Sequence, residues 1–119
     1  MSESIIKTKS FELAVSGIKF YKSLVLDKKE FVMSKQFLRS ITSVGANVRE
    51  AVNTQSKADF IHKLSISQKE CDETMYWLEL LKETNYVSKE EFNSLYPKCD
   101  EVLKIIRSII ITSKKTHNS

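Results

Sequence analysis

The stretch Ser43-Val44-Gly45-Ala46-Asn47-Val48-Arg49-Glu50-Ala51 lies within a long helical pattern, yet it carries an amide and a carboxylate beside apolar positions. At 100° per residue, the helix around it divides into three sectors. The apolar sector consists of Phe37, Ile41, Val44, Val48 and Ala51. The basic stripe consists of Lys35, Arg39 and Arg49. Ser43, Asn47 and Glu50 lie between these sectors, and the pattern predicts that one side of the helix packs against other helices.

Asn47 and Glu50 allow two interpretations. As a functional site they would bind a polar ligand or a nucleotide; as a structural feature they would form a buried network that fixes the register of the helix. Burying either group unpaired would cost on the order of a few kcal/mol, so each needs a partner. The candidate partners are Arg49, Lys63, Ser67 and Lys69. We favour the structural interpretation, because polar groups in a core most often specify packing.

Residues that break helices are scarce, since the 119 residues include two glycines and one proline. Apolar residues recur at helical spacing in four segments. We predict helices over residues 3–26, 33–52, 57–83 and 89–113. The turns between them are short, so the most economical fold is an all-α, antiparallel up-and-down four-helix bundle with a single domain over residues 1–119.

Local signals support these bounds. Ser56 is expected to be the N-cap of the third helix, and Ser88 with Glu91 has the spacing of a capping box. Asn85 is expected in the left-handed conformation where the third helix ends. Gly45 interrupts the second helix, and its expected use is the close approach of another backbone.

The fourth helical pattern contains Pro97, which removes one backbone donor. We therefore expect a kink near residues 92–95, or a short helix that leads into a longer one. Residues 114–119 form a polar tail that we expect to fray.

The first helix carries two apolar stripes that point in almost opposite directions. The first stripe consists of Phe11, Ala14, Val15, Ile18, Tyr21 and Val25. The second stripe consists of Leu13, Gly17, Phe20 and Leu24. One face suffices for a small bundle, so we expect the first stripe to pack within the chain and the second to form an oligomer interface. The alternative is that a partly exposed Phe20 is ordinary surface.

Charge is distributed unevenly along the chain. Residues 1–63 contain 11 Lys and Arg against 6 Asp and Glu, whereas residues 64–119 contain 8 against 9. The basic first half is compatible with phosphate contact. The competing interpretation is that these lysines simply solvate helix faces.

Motifs for catalysis are not legible. His62 and His117 lack the spacing of metal ligands, and Cys71 and Cys99 fall on apolar stripes, where thiols are usually inert and reduced. Two mid-helix glycines cannot build a phosphate-binding loop. The clustered carboxylates, which more often form a solvated face, are Glu70, Asp72 and Glu73. We predict a protein that is not an enzyme and has no metal or cofactor.

The apolar segments of the chain do not suggest a membrane protein. The first residues contain no apolar segment of the length found in signal peptides, and no apolar run approaches the roughly 20 residues that span a bilayer. We therefore expect a cytoplasmic protein without membrane association.

Ser43–Ala51 resembles the S-x-x-x-N-I-x-E-G/A signature of the four-helix-bundle family that includes proteins encoded in 23S rRNA intervening sequences. Ser56–Phe60 also fits, and Leu64–Leu81 is similar to the branch whose third helix has the pattern K-E-x-x-E-T-x-Y-W-L-x-L-L. The resemblance covers about residues 5–113. Ala51 stands where many relatives have Gly, and Ser67-Gln68 where the branch often has Ala-Leu, which affects local packing.

The resemblance implies a four-helix bundle that assembles into ring-like homopentamers. Such proteins are sometimes labelled ribosomal, a label inherited from genomic location. A related group serves as the accessory protein of diversity-generating retroelements, in which a basic pentameric barrel binds nucleic acid and the reverse transcriptase. The positions that match the family motif are Ser43, Asn47, Glu50, Glu70 and Glu73.

Our leading hypothesis is a non-catalytic homo-oligomer, with a pentamer implied by the resemblance, that associates with structured RNA or another nucleic acid. The candidate contacts are Lys19, Lys22, Lys28, Lys29, Lys35, Arg39 and Arg49. The alternative is a scaffold that binds a protein partner and has no nucleic-acid role. A third option, an enzyme or ligand-binding bundle, requires a solvent-accessible pocket at Asn47 and Glu50.

Overall fold

Four helices make up the computed structural model, which describes the backbone of residues 2–118 and the side chains of residues 3–116. They are α1 (Ser2–Leu26), α2 (Met33–Val52), α3 (Lys57–Glu83) and α4 (Lys89–Asn118). The first three helices begin and end within one residue of the predicted bounds. Helix α4 continues through the segment expected to fray, because Ile110 and Ser113 are buried and anchor its last turns. Met1 and Ser119 lie outside the described residues.

Each helix packs against its neighbours in the chain, and α1 also packs against α4. The described residues contain no strand, so the predicted all-α up-and-down bundle is confirmed. The molecule is elongated, with extents of 50 × 21 × 20 Å. One end of the bundle carries the α1–α2 and α3–α4 turns, and the other carries the α2–α3 turn.

The core is centred on the apolar sector of α2. All five of its predicted residues are completely buried: Phe37, Ile41, Val44, Val48 and Ala51. They pack against buried side chains of α3 and α4, including Leu64, Leu78 and Ile106. Their burial confirms the predicted orientation of the faces of α2 around the stretch Ser43–Ala51.

The face of α1 that packs against the core is opposite to the predicted face. Leu13 and Leu24 of the second stripe are each 2% exposed, and Phe20 packs on Phe37 with ring centroids 5.3 Å apart. The prediction that this stripe, with Gly17, forms an oligomer interface is therefore wrong, because Leu13, Gly17 and Leu24 are buried within the chain and Phe20 is partly buried against Phe37. The first stripe instead contains exposed apolar side chains: Phe11 (57%), Val15 (37%) and Ile18 (38%).

Two glycines allow α1 and α2 to approach closely. A Cβ on Gly45 would lie 3.2 Å from the carbonyl oxygen of Ser10, and a Cβ on Gly17 would lie 2.6 Å from Cδ1 of Ile41. The expected use of Gly45, close approach of another backbone, is confirmed. Gly17 on α1 instead makes room for a side chain, that of the buried Ile41.

The turn signals are borne out at three positions. The Ser56 hydroxyl accepts from Asp59 N–H at 3.0 Å, and Ser88 and Glu91 form a reciprocal capping box. Asn85 has a φ of 67°. Helix α4 is continuous through Pro97, so the alternative of a separate short helix is wrong, whereas a kink stays a prediction.

Candidate nucleic-acid interface

Arg39 is held between two carboxylates of α3. Its guanidinium donates to Glu70 at 3.1 Å and to Glu73 at 2.6 Å, and Glu73 also accepts from the indole N–H of Trp77 at 3.4 Å. The geometry joins α2 to α3 through charge-assisted hydrogen bonds. Arg39 was predicted to contact nucleic acid, but its charge is already neutralised by the carboxylates at two motif positions.

The two carboxylates differ in their environments. Burial raises the pKa of Glu70, whose side chain is 14% exposed. Burial also opposes ionisation of Glu73, but hydrogen bonds from Glu70, Arg39 and Trp77 outweigh it and lower the pKa of Glu73. The hydrogen bond to Glu73 in turn raises the pKa of Arg39. Arg39, Glu70 and Glu73 therefore form a cross-link between α2 and α3 in which the charged groups pair with one another.

The other six predicted contacts have a different environment. They are exposed, and none forms an ion pair with a described side chain: Lys19, Lys22, Lys28, Lys29, Lys35 and Arg49. Four of them lie within about two helical turns of the α1–α2 turn, at one end of the bundle: Lys22, Lys28, Lys29 and Lys35. This end therefore carries a group of cations that are free to interact with an anionic partner.

Arg49 lies at the other end of α2, in a surface groove of about 310 Å³ between α1 and α2. Lys7 and the exposed ring of Phe11 line the same groove, together with Glu50. Glu50 forms a salt bridge with Lys63 at 2.8 Å, which partly neutralises the one carboxylate in the groove lining. The groove is open, basic and apolar, so it provides a surface rather than an enclosed ligand cavity.

The motif residues of α2 do not form the predicted buried network. Asn47 is half-buried and donates to the carbonyl of Ser43 within its own helix at 2.9 Å. The Ser43 hydroxyl likewise donates to the carbonyl of Arg39 at 2.7 Å. The side chain of Glu50 is 58% exposed, although its bond to Lys63 does connect α2 to α3 as expected for that pair.

The buried polar links between α2 and α3 are made by hydroxyl groups. Ser67 donates to the carbonyl of Val44 at 2.7 Å, and Thr74 contacts the hydroxyl of Ser40 at 2.9 Å. The position of Ser67 on an apolar stripe could have indicated this bond, because a buried hydroxyl at such a position usually donates to a backbone carbonyl. Sequence reasoning named Ser67 as an inward residue and as a candidate partner for Asn47 or Glu50, but it did not predict the bond to the backbone of α2.

Glu30 is the main feature that sequence reasoning missed. Its side chain is buried, and its carboxylate accepts from the backbone N–H groups of Val32, Met33 and Ser34 at 3.2, 3.1 and 2.6 Å. Burial alone would raise the pKa of Glu30, but these donors lower it below its usual value. The four charged residues Asp27-Lys28-Lys29-Glu30 between the first two helices are typical of a polar loop, so sequence periodicity does not reveal this cap on the first turn of α2.

The two cysteines are buried and face each other across α3 and α4. The Cys71 thiol donates to the carbonyl of Cys99 at 3.2 Å, and burial raises the pKa of Cys71 to about 12. Burial also raises the pKa of Cys99. Such thiols are protonated at neutral pH and pack as small apolar groups.

Within side chains 3–116, no three His, Cys, Asp or Glu residues are grouped as a metal site would require. Among the described helices, none is long and apolar enough to cross a bilayer.

Residues 2–108 match the family model for the 23S rRNA-intervening sequence protein. The match covers most of the chain, so the chain belongs to this family, and the resemblance of its second and third helices is confirmed. No curated protein matches the chain.

A solved structure supports the assignment. The chain is similar to a protein of unknown function from the S23 ribosomal protein family of Bacteroides thetaiotaomicron VPI-5482, whose crystal structure was determined at 1.70 Å resolution. The two sequences are 53% identical and the TM-score is 0.91, with 92% of this chain and 98% of that chain covered. Neither match names an enzymatic activity.

Proposed function

We propose that the chain acts in the cytoplasm as a non-catalytic, homo-oligomeric accessory protein that binds structured RNA. The observation that carries this proposal is the set of six exposed cations on α1, α2 and the turn between them, none of which has a carboxylate partner among the described side chains. They belong to the half of the chain in which Lys and Arg outnumber Asp and Glu by 11 to 6. Cations that are already paired would have to exchange partners before contacting phosphate, and these six would not.

The physical basis is the release of counterions. Each Lys or Arg that contacts a phosphate displaces condensed counterions, so RNA affinity falls as the salt concentration rises. One chain carries a formal net charge of only +4. Closed symmetry would repeat the basic surface on every subunit. The electrostatic fields of the copies would add, so that a modest charge per chain would attract RNA more strongly.

The exposed stripe of α1 supports a homo-oligomer. Phe11, Val15 and Ile18 align on the outer side of α1, and the groove beside Phe11 is lined by Ala14 and Ala46. An aromatic ring with two β-branched neighbours on a chain of 13.7 kDa is the type of surface that associates. A second copy of the chain is the proposed partner of the stripe formed by Phe11, Val15 and Ile18, and a pentamer is the expected assembly.

Light scattering tests the oligomer. We expect a mass several times 13.7 kDa for the native chain and a large loss of mass for Phe11→Glu. Ile111→Glu is the matched control, because Ile111 on α4 is also 57% exposed. A monomeric native chain would refute the assembly and favour the second candidate, a scaffold that uses the Phe11 stripe to bind another protein.

Anisotropy titrations with a labelled RNA hairpin test the nucleic-acid role. We expect affinity to fall linearly with salt on a logarithmic plot, and the slope to decrease when three of the four cations near the α1–α2 turn are replaced by Gln. The test variant replaces Lys28, Lys29 and Lys35. The control variant, with the same change in net charge, replaces Lys69, Lys114 and Lys115, which are exposed on α3 and at the far end of α4. Absence of binding at low salt, or binding without a salt slope, would overturn the proposal.

A further inference from the structure

The turn between α1 and α2 exposes large apolar side chains next to lysines. Phe31 is 59% exposed, Val32 74% and Leu26 66%. A small core of Leu24, Leu81 and Val87 lies within the same end of the bundle, yet the ring of Phe31 does not join it. An exposed aromatic ring at a fixed position in a turn is a candidate binding feature.

The backbone on both sides of Phe31 is held in place. Glu30 N–H donates to the carbonyl of Leu24 at 3.1 Å, while the Glu30 carboxylate accepts from three N–H groups that follow Phe31. The Ser34 hydroxyl donates to the carbonyl of Glu30 at 2.7 Å. Lys29 adopts a φ of 57°, an uncommon conformation for a residue with a side chain. The buried carboxylate of Glu30 and the strained backbone of Lys29 thus fix the turn in a conformation that exposes Phe31 to solvent. The exposed ring is therefore preorganised for binding.

The charges around the ring are favourable for an anionic partner. Lys28 and Lys29 precede Phe31 by three and two residues, and Lys35 follows it by four. The local carboxylates are already engaged, since Asp27 accepts from the Ser23 hydroxyl at 3.2 Å and Glu30 is occupied as a cap. An exposed aromatic face, close in the chain to lysines that have no ion-pair partner among the described side chains, is a combination that can bind an unstacked base and its flanking phosphates.

We infer that the α1–α2 turn is a site for an unpaired nucleotide of RNA, with the base stacked on Phe31 and the adjacent phosphates contacted by Lys28, Lys29 and Lys35. This inference rests on the proposed function and gives it a substrate class: RNA with a loop, bulge or single-stranded end. A continuous duplex cannot use the ring, because its bases are stacked and its deep groove is too narrow for side chains. A partner protein would instead bury Val32 and Leu26 together with the ring, which provides a discriminating test.

The experiment compares two RNAs with the full-length chain. One is a hairpin that carries 2-aminopurine in its single-stranded loop; the other is a blunt duplex with the sequence of the stem. We expect Phe31→Ala to lose roughly 5- to 150-fold in affinity for the hairpin, the range found for removal of one base-stacking side chain, with no change for the duplex. Quenching of 2-aminopurine by the native chain should disappear in Phe31→Ala and persist in Phe31→Tyr.

Val32→Ala is the matched control, because Val32 is more exposed than Phe31 but has no aromatic face. It should bind both RNAs like the native chain. Salt-dependent binding that is unchanged by Phe31→Ala would overturn the stacking site while leaving the proposed function intact. An equal loss in Val32→Ala and Phe31→Ala would also overturn it, in favour of a general apolar contact. A native chain that binds neither RNA at low salt would overturn both.

Discussion

Arg39 of α2 donates a 2.6 Å hydrogen bond to the Glu73 carboxylate of α3, and this contact separates two kinds of cation on one helix face. Lys35 lies one turn before Arg39 on the same exposed side of α2, but it has no ion-pair partner among the described side chains. Sequence periodicity places both residues on a single basic stripe. The structure assigns one to the cross-link between helices and leaves the other available to a partner.

Gly17→Ala should destabilise the fold. The new Cβ would lie 2.6 and 2.7 Å from two carbons of the buried Ile41, and overpacking typically costs about 1–3 kcal/mol, against about 1 kcal/mol gained in helix propensity. We expect a net loss of about 1 kcal/mol in urea unfolding at a fixed protein concentration.

The background Ile41→Ala provides the control for Gly17→Ala. It removes the three Ile41 carbons that the new Cβ would meet, so the same glycine substitution should become neutral or stabilising there. A stabilising effect of Gly17→Ala in the native background would show that α1 and α2 are not in close contact at this point.

Ser67→Ala should cost more than Glu50→Gln. Ser67 makes a buried hydrogen bond between helices, whose loss is worth about 1 kcal/mol, whereas Glu50 forms a largely exposed ion pair worth about 0.5 kcal/mol or less. Chemical denaturation of the two variants gives the comparison. The reverse order would restore Glu50 as the polar residue that fixes the register of α2.

Glu30→Gln should destabilise the protein at neutral pH and have less effect in acid. The folded-state pKa of Glu30 lies below its ordinary value of about 4.5, so its stabilisation is complete above that value and is lost as the pH falls through the folded-state pKa. At pH 7 we expect a loss of about 1 kcal/mol, the usual effect of removing a helix cap.

Denaturation curves from pH 7 to pH 3 measure this effect. The difference between the native chain and Glu30→Gln should shrink toward the acid end, whereas Glu83→Gln, at an exposed position, should change little throughout. A difference that grows as the pH falls would mean that the carboxylate is not the cap that holds the turn around Phe31.

Cys71 and Cys99 should resist alkylation in the folded protein. The pKa of Cys71 is raised to about 12 and both thiols are buried, so the reactive thiolate is scarce and inaccessible at pH 8. Mass spectrometry after treatment with iodoacetamide should find both thiols unmodified, and both should react in denaturant. Rapid labelling without denaturant would indicate that α3 and α4 separate in solution.

The sequence predicted the helices well because their bounds depend on local chemistry. The cap at Ser56, the capping box at Ser88 and Glu91 and the left-handed Asn85 are each determined by a few neighbouring residues. The apolar sector of α2 was equally clear, since its other faces are polar.

The face of α1 was predicted wrongly for a physical reason. Its outer stripe contains more apolar residues than its inner stripe, whereas the inner face has Gly17 and Ser10 where α2 approaches closely. Counting apolar residues therefore favours the outer stripe, but close packing requires small residues at the point where two helices cross. The inner face becomes identifiable only when the position of Ile41 and Gly45 is known.

The candidate site was only partly predictable for a related reason. The basic stripe followed from periodicity, but the pairing of Arg39 with Glu73 depends on the packing of α2 against α3, some 34 residues apart in the chain. The role of Glu30 depends on three N–H groups whose directions are set by the turn itself. Charge patterns therefore indicate which residues are available, and tertiary contacts decide which of them remain free.

The most direct test compares the salt dependence of RNA binding by Lys35→Gln and Arg39→Gln. The two variants lose the same charge from the same face of α2, but of the two residues only Lys35 has no ion-pair partner among the described side chains. We expect Lys35→Gln to reduce the slope by about 1 and Arg39→Gln to leave the slope unchanged. An equal reduction in both variants, or a native chain that does not bind RNA at low salt, would contradict the account.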